Sequence, residues 1–224
     1  MFSCQTCGVF KKKRIALDCG HGDYDPGFVR GNLREKDINL AIGLKTMKAL
    51  KKAGFEVFMT RDDDSFLALD HRTTQTNHKD VDLFISIHTN ANSTTDVSGI
   101  ETFCIQPSLF VEKFKKLHKH DHLLAQYAKT QMIKSEKLAR LVHTSVLGHA
   151  KKQNPYVVDR KVKFNTAQVL LGTEVPSILL ELGFLSHHSK GDEYRSESKL
   201  LQSDTYQNFL AEGISAGIKE FFKA

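Results

Sequence analysis

His21, Glu35 and His88 are the residues of this chain whose types could do chemistry together. They stand in three separate segments: Ala-Leu-Asp-Cys-Gly-His-Gly (16–22), Arg-Glu-Lys-Asp-Ile-Asn-Leu (34–40) and Leu-Phe-Ile-Ser-Ile-His-Thr-Asn-Ala-Asn (83–92). Two imidazoles and one carboxylate are a ligand set for a catalytic zinc ion, with the fourth position left to water. Such an ion acidifies water and polarises a carbonyl oxygen. Glu181, in Ser-Ile-Leu-Leu-Glu-Leu-Gly-Phe-Leu-Ser (177–186), is the candidate base. A carboxylate that is not itself a ligand can take a proton from water and deliver it to a leaving amine. Leu180 and Leu182 flank Glu181, and burial would raise its pKa. Gly20 and Gly22 would let the backbone around His21 turn sharply and approach an ion.

Taken singly, each residue has a plainer reading. His21 is a loop histidine, and His88 a core histidine at a strand end. Glu35 suits a helix N-terminus through the macrodipole. Glu181 is an acid that could pair with Arg160 or Lys163. The chemistry therefore depends on whether the fold brings the four together.

The elements that must position them are legible in the hydrophobic pattern. Ile15–Asp18 reads as a buried strand running into a Gly-rich loop. Glu35 opens a helix to about Ala53, stopped by Gly54. Phe55–Thr60 reads as a strand, Leu69–Lys79 as a short polar helix, and Leu83–His88 as a strand covered on both faces. Gly99–Ile105 reads as a further strand. Ser135–Leu147 reads as an amphipathic helix with Ser135 as N-cap. Gln168–Leu171 and Ser177–Leu182 read as two late strands. A last helix spans Asp204 to about Phe222, with Tyr206, Phe209, Leu210, Ile214 and Phe221 on its buried stripe. Strands alternating with helices predict an α/β fold: a single domain with a mainly parallel, twisted sheet of about six strands flanked by helices on both faces. In an open α/β sheet, functional groups gather beyond the carboxyl ends of the strands. His21, His88, Glu181 and the helix start at Glu35 all fall on that rim.

With 224 residues, of which 40% are hydrophobic, the chain can build one sizeable core. No apolar run approaches the length that spans a bilayer. The formal charge of +6 favours an anionic partner, whether nucleic acid, anionic lipid or an acidic polymer such as cell wall, and does not choose among them. Without Trp or an aromatic-and-basic motif, nucleic acid is not the expected partner. Cys4, Cys7, Cys19 and Cys104 do not make a disulfide framework, and Cys4–Cys7 is a lone C-x-x-C in a tail spanning 1–13. In that tail the apolar stretch precedes the basic cluster Lys11–Arg14, the reverse of a secretory signal. The segment 107–134 is long, polar and basic, and carries His118, His120 and His122. A structureless loop of that length is unusual, so it reads as a partly helical insertion. Alternate positions do not share a helix face, which argues against a second metal site there.

Five motifs, in order, resemble the zinc-dependent N-acetylmuramoyl-L-alanine amidases of bacterial cell walls. They are Ile-Ala-Leu-Asp-Cys-Gly-His-Gly, Leu-Arg-Glu-Lys-Asp-Ile-Asn-Leu-Ala, Thr-Arg-Asp-Asp-Asp, Leu-Phe-Ile-Ser-Ile-His-Thr-Asn-Ala and Val-Pro-Ser-Ile-Leu-Leu-Glu-Leu-Gly-Phe-Leu-Ser. The resemblance runs from about Arg14 to the C-terminus. It implies that 14–224 is the catalytic domain, that His21, Glu35 and His88 hold one zinc ion (Zn2+), and that Glu181 is the catalytic glutamate. It further implies peptidoglycan as substrate, a role in cell separation, and a periplasmic or wall-associated location. Some relatives carry an inserted helix that covers the metal until an activator protein removes it, and 107–134 falls where that insertion would be. The family usually has Pro in place of Cys19 and Gly in place of Asp23; neither position is a ligand. A zinc peptidase acting elsewhere on the stem peptide, or a non-catalytic wall-binding relative, are the alternatives.

Overall fold

The computed structural model describes residues 11–107, 122–189, 191 and 195–223. Cys4, Cys7, His118 and His120 lie outside the described residues, as do residues 108–121 of the expected insertion.

Six strands form the sheet: β1 (Arg14–Cys19), β4 (Glu56–Met59), β5 (Leu83–Asn90), β6 (Ile100–Cys104), β7 (Asp159–Phe164) and β8 (Ser177–Phe184), in the order β4-β1-β5-β8-β6-β7. The two-residue strands β2 (Val29–Arg30) and β3 (Leu33–Arg34) make a separate hairpin. The helices are α1 (Glu35–Lys52), α2 (Leu69–Asn77), α3 (His122–Gln153), α4 (Gln168–Leu171), α5 (Glu197–Leu200) and α6 (Asp204–Lys223). Strands β4, β1, β5 and β8 are mutually parallel; β6 runs antiparallel to β8 and parallel to β7. The mainly parallel single-domain sheet expected from the sequence is the fold observed.

Alternation along the central strands divides their side chains between two faces. Ile15, Leu17, Leu83, Ile85, Ile87, Ile178, Leu180 and Leu182 share one core with Ile42 of α1, Val142 and Val146 of α3, and Leu210 and Ile214 of α6. Each fully buried aliphatic side chain there contributes about 1.5–3 kcal/mol. The opposite face is more thinly covered. Ala16 and Phe84 join Val81, Ile105, Met132, Val169 and Leu170 in a smaller cluster. His88 and Glu181 are register partners and stand on this second face.

Two local expectations need correction, and one strand is additional. Ser135 is not an N-cap: it lies within the 32-residue α3. Its hydroxyl donates to Gln131 O at 2.9 Å and accepts from Ser177 N at 2.9 Å, so a tertiary partner in β8 explains a serine there. Gln168–Leu171 is a short helix and not a strand. A four-residue apolar run has no period that tells the two apart. The strand Asp159–Phe164 was not expected, because an edge strand of mostly charged residues lacks apolar alternation. It is anchored through His143, which lies 2.9 Å from Asp159 Oδ1 and 3.0 Å from Thr102 Oγ1.

Candidate metal centre

β1 has β4 on one side and β5 on the other, so a crevice opens beyond the carboxyl ends of β1 and β5. His21 leaves β1 into that crevice, His88 sits in β5, and Glu35 is the first residue of α1. Their donor atoms converge. His21 Nε2 lies 3.2 Å, and His88 Nδ1 2.9 Å, from Glu35 Oε1. The two rings meet edge-on with centroids 5.0 Å apart. One ligand atom from each residue lies within 4.8 Å of the others. Tetrahedral ligands about 2.0 Å from a zinc ion are about 3.3 Å apart, so the spacing fits such an ion. The backbone is shaped around the donors. A side chain on Gly20 would strike the His88 ring at 2.1 Å, and one on Gly27 would meet Glu35 Oε2 at 2.5 Å.

The electrostatics suit a cation. Burial works against a charge on Glu35, yet hydrogen bonds and charge from His21 and His88 hold its carboxyl well below the ordinary range. Burial likewise disfavours charge on His21, but Glu35 and Asp25 outweigh it and shift the imidazole upward. A positive charge in this cradle is thus stabilised by the surrounding carboxylates.

Glu181 reaches the same rim from β8. Its Cα is in register with His88 on one side and Glu101 on the other. Oε2 is buried and has no hydrogen-bond partner among the described residues. Desolvation, followed by the charges of Glu35 and Glu101, pushes its pKa well above the ordinary value. Arg160 and Lys163 do not pair with Glu181. They pair with Glu101, through Arg160 Nε and through Lys163 Nζ at 3.1 Å. A buried carboxyl oxygen with no partner is costly to keep unless it has a task.

Residues 15–220 match the N-acetylmuramoyl-L-alanine amidase family over most of the chain. The chain belongs to this family. The amidase is similar to YqiI of Bacillus subtilis strain 168, with 30% identity over 97% of this chain and 89% of that protein. Among solved structures it resembles the catalytic domain of CwlV, an N-acetylmuramoyl-L-alanine amidase from Bacillus (Paenibacillus) polymyxa var. colistinus. The two are 28% identical with a TM-score of 0.74, over 94% of this chain and 98% of that one. The CwlD amidase of Clostridioides difficile, solved in complex with the GerS lipoprotein, matches with 28% identity and a TM-score of 0.74, over 95% and 99% of the two chains.

Two polar residues support the donor cluster, and neither stands out in the sequence. Asp25 Oδ2 lies 2.8 Å from His21 Nδ1, which leaves Nε2 free to face a metal. Asn39, one turn after Glu35, donates to Glu35 Oε1 at 3.1 Å and accepts from Thr89 Oγ1 at 3.0 Å. The i, i+4 spacings of His21–Asp25 and Glu35–Asn39 were the available signal. Replacing Asp25 with alanine should weaken metal affinity about ten-fold or more while leaving the fold intact. Competition with a chromogenic chelator measures this; unchanged affinity would show that His21 needs no such orientation.

Two arginines hold the His21 loop. His21 has φ of 64°, a conformation that side-chain-bearing residues adopt only when held. Arg61 donates to Cys19 O at 2.8 Å and to Gly20 O at 2.9 Å. Arg72 donates to Cys19 O at 2.7 Å, to His21 O at 2.9 Å and to the buried Asp18 Oδ1 at 2.8 Å. Arg72→Met would strand the Asp18 carboxylate, so it should cost about 3 kcal/mol or more of stability. Urea denaturation checks this; a loss below about 1 kcal/mol would mean that the pair is dispensable. Cys19 itself is fully buried, with its thiol pushed up to about 12 by desolvation, which makes it a packing residue and not a reactive one. Among the described residues, no helix is long and apolar enough to cross a membrane.

Proposed function

We propose that the amidase hydrolyses the amide between the lactyl group of N-acetylmuramic acid and the L-alanine that begins the stem peptide, using one zinc ion held by His21, Glu35 and His88. The observation that carries this reading is the buried, unpartnered Oε2 of Glu181 on the strand beside the three-donor cluster. A bound zinc ion would supply Lewis acidity, polarising the amide carbonyl and making water acidic enough to act near neutral pH. Glu181 accepts the proton that water gives up as it attacks the carbonyl carbon. It then returns that proton to the departing alanine nitrogen, which leaves as a neutral amine. The raised pKa of Glu181 suits the second task, because a group that releases its proton too readily cannot protonate the amine. Asp25 and Asn39 keep two of the donors aligned through the cycle.

The same reading assigns residues 14–224 to the catalytic domain and 1–13 to a tail, and places the enzyme in the periplasm or on the wall, acting in cell separation. It also takes 107–134 as an element on which an activator protein acts. Support for such a partner is the complex of the C. difficile CwlD amidase with the GerS lipoprotein.

A defined muropeptide tests the reaction. Cleavage should release the intact stem peptide with L-alanine as its new N-terminus and a sugar fragment with a free lactyl carboxylate. A shortened stem peptide still attached to the sugar would instead identify a peptidase.

A further inference from the structure

Beside the metal centre lies a cavity of about 360 Å³ that includes His21, His88 and Asp25. Phe66, Leu67, Leu69 and Val169 give it an apolar part, and Asp18 and Arg72 also line it. Tyr24, 72% exposed, stacks its ring on the lining residue Phe66 at 4.3 Å between centroids with a 30° tilt. A large exposed ring stacked on a residue that lines a cavity beside the donor cluster is a surface that a ligand can cover.

This surface is built before any ligand arrives. Tyr24 sits in a two-residue turn closed by Gly22 N to Asp25 O at 2.9 Å and Asp25 N to Gly22 O at 3.0 Å. Asp23 N donates to Asp64 Oδ1 at 2.8 Å, and Lys36 Nζ bridges Asp23 O at 2.7 Å and Asp64 Oδ2 at 2.6 Å. The two loops approach so closely that a side chain on Gly22 would lie 1.9 Å from Ser65 O. The loop of Tyr24 and the loop of Phe66 therefore form one fixed unit, and little ordering remains to be done on binding.

We propose that Tyr24 and Phe66 form a platform for a sugar ring, the pyranose of N-acetylmuramic acid next to the amide that is cut. This rests on the amidase reading above. One face of a pyranose is a sheet of C–H groups, apolar and slightly positive, which complements the negative face of an aromatic ring. Asp23, next to Tyr24, and Asp62 and Asp63, on the loop that leads to Phe66, are exposed acceptors for sugar hydroxyls. They also select the occupant: stem-peptide carboxylates would be repelled there, whereas the muramoyl carboxyl is tied up in the amide and the ring is neutral. The lactyl group hangs directly from the ring, so the ring must rest a few bonds from the metal. Tyr24 is next to Asp25, whose carboxylate touches His21.

The test compares two substrates carrying the same amide: a disaccharide muropeptide, and a D-lactyl-peptide with no sugar. Tyr24→Ala should lower kcat/KM on the first about five-fold or more, through KM, and leave the second unchanged. Tyr24→Phe should behave as wild type, because stacking needs the ring and not the hydroxyl. An equal loss on both substrates, or none on either, overturns the proposal. Independently, the peptide-free disaccharide is titrated into the metal-loaded protein and followed by NMR. Binding that depends on Tyr24 supports the platform even if the amide is never cut, and binding indifferent to Tyr24→Ala refutes it even if the amide is cut.

Discussion

Glu181→Gln should lower turnover by about three orders of magnitude while leaving the metal content unchanged. Glutamine keeps the shape of the side chain but can neither accept nor return a proton. Glu181 is not one of the three converging donors, so the metal has no reason to leave. The same change should stabilise the metal-free protein at neutral pH. Desolvation, Glu35 and Glu101 raise the folded-state pKa of Glu181 above its unfolded value, so the folded form binds the proton more tightly. Its contribution is then fully present below the ordinary carboxyl pKa and is lost as pH rises through the raised value. At neutral pH the wild type carries this burden and the variant does not. Denaturation midpoints from pH 4 to 8, taken with single-turnover rates, check both parts. A variant that keeps near wild-type turnover would remove Glu181 from the chemistry.

His88→Ala should have the opposite signature: loss of the metal and, with it, all activity. The ring supplies one of three donors and also lies 2.9 Å from Glu35 Oε1, so its removal takes away a ligand and frees a second one to move. Affinity should fall by more than about a hundred-fold, the upper end of what losing a mere supporting partner costs. The fold should survive, since His88 lies on the thinly covered face and outside both apolar clusters. Metal analysis after dialysis, with circular dichroism as the control, decides the matter. A variant that retains a full complement of metal would show that the ion is held elsewhere.

The contrast between these variants reflects which features the sequence made legible. β1, β5 and β8 are nearly continuous apolar runs, and polar residues within such runs attract attention because burial there needs a reason. Glu35 followed from topology, because a helix after a parallel strand begins at the rim where that strand ends. Asp25 and Asn39 were not legible in the same way. Each is an ordinary polar residue until its partner's position is known. Glu101 was hidden for a different reason: the antiparallel pairing of β6 with β8, which sets it beside Glu181, depends on chain reversal that no local pattern encodes. Ser135 and Gln168–Leu171 failed where local propensity met a tertiary partner, Ser177 in one case and the small apolar cluster in the other.

Metal-dependent cleavage of one bond is what the assignment of the four site residues requires above all. The measurement is hydrolysis of a disaccharide muropeptide by protein stripped with a chelator and then titrated with zinc. The expected result is no activity in the stripped protein and a linear recovery that saturates at a single equivalent of zinc. Every product should carry a free L-alanine N-terminus. Full activity in protein shown to be free of metal, or recovery that yields a different cut, would contradict the assignment of His21, Glu35, His88 and Glu181.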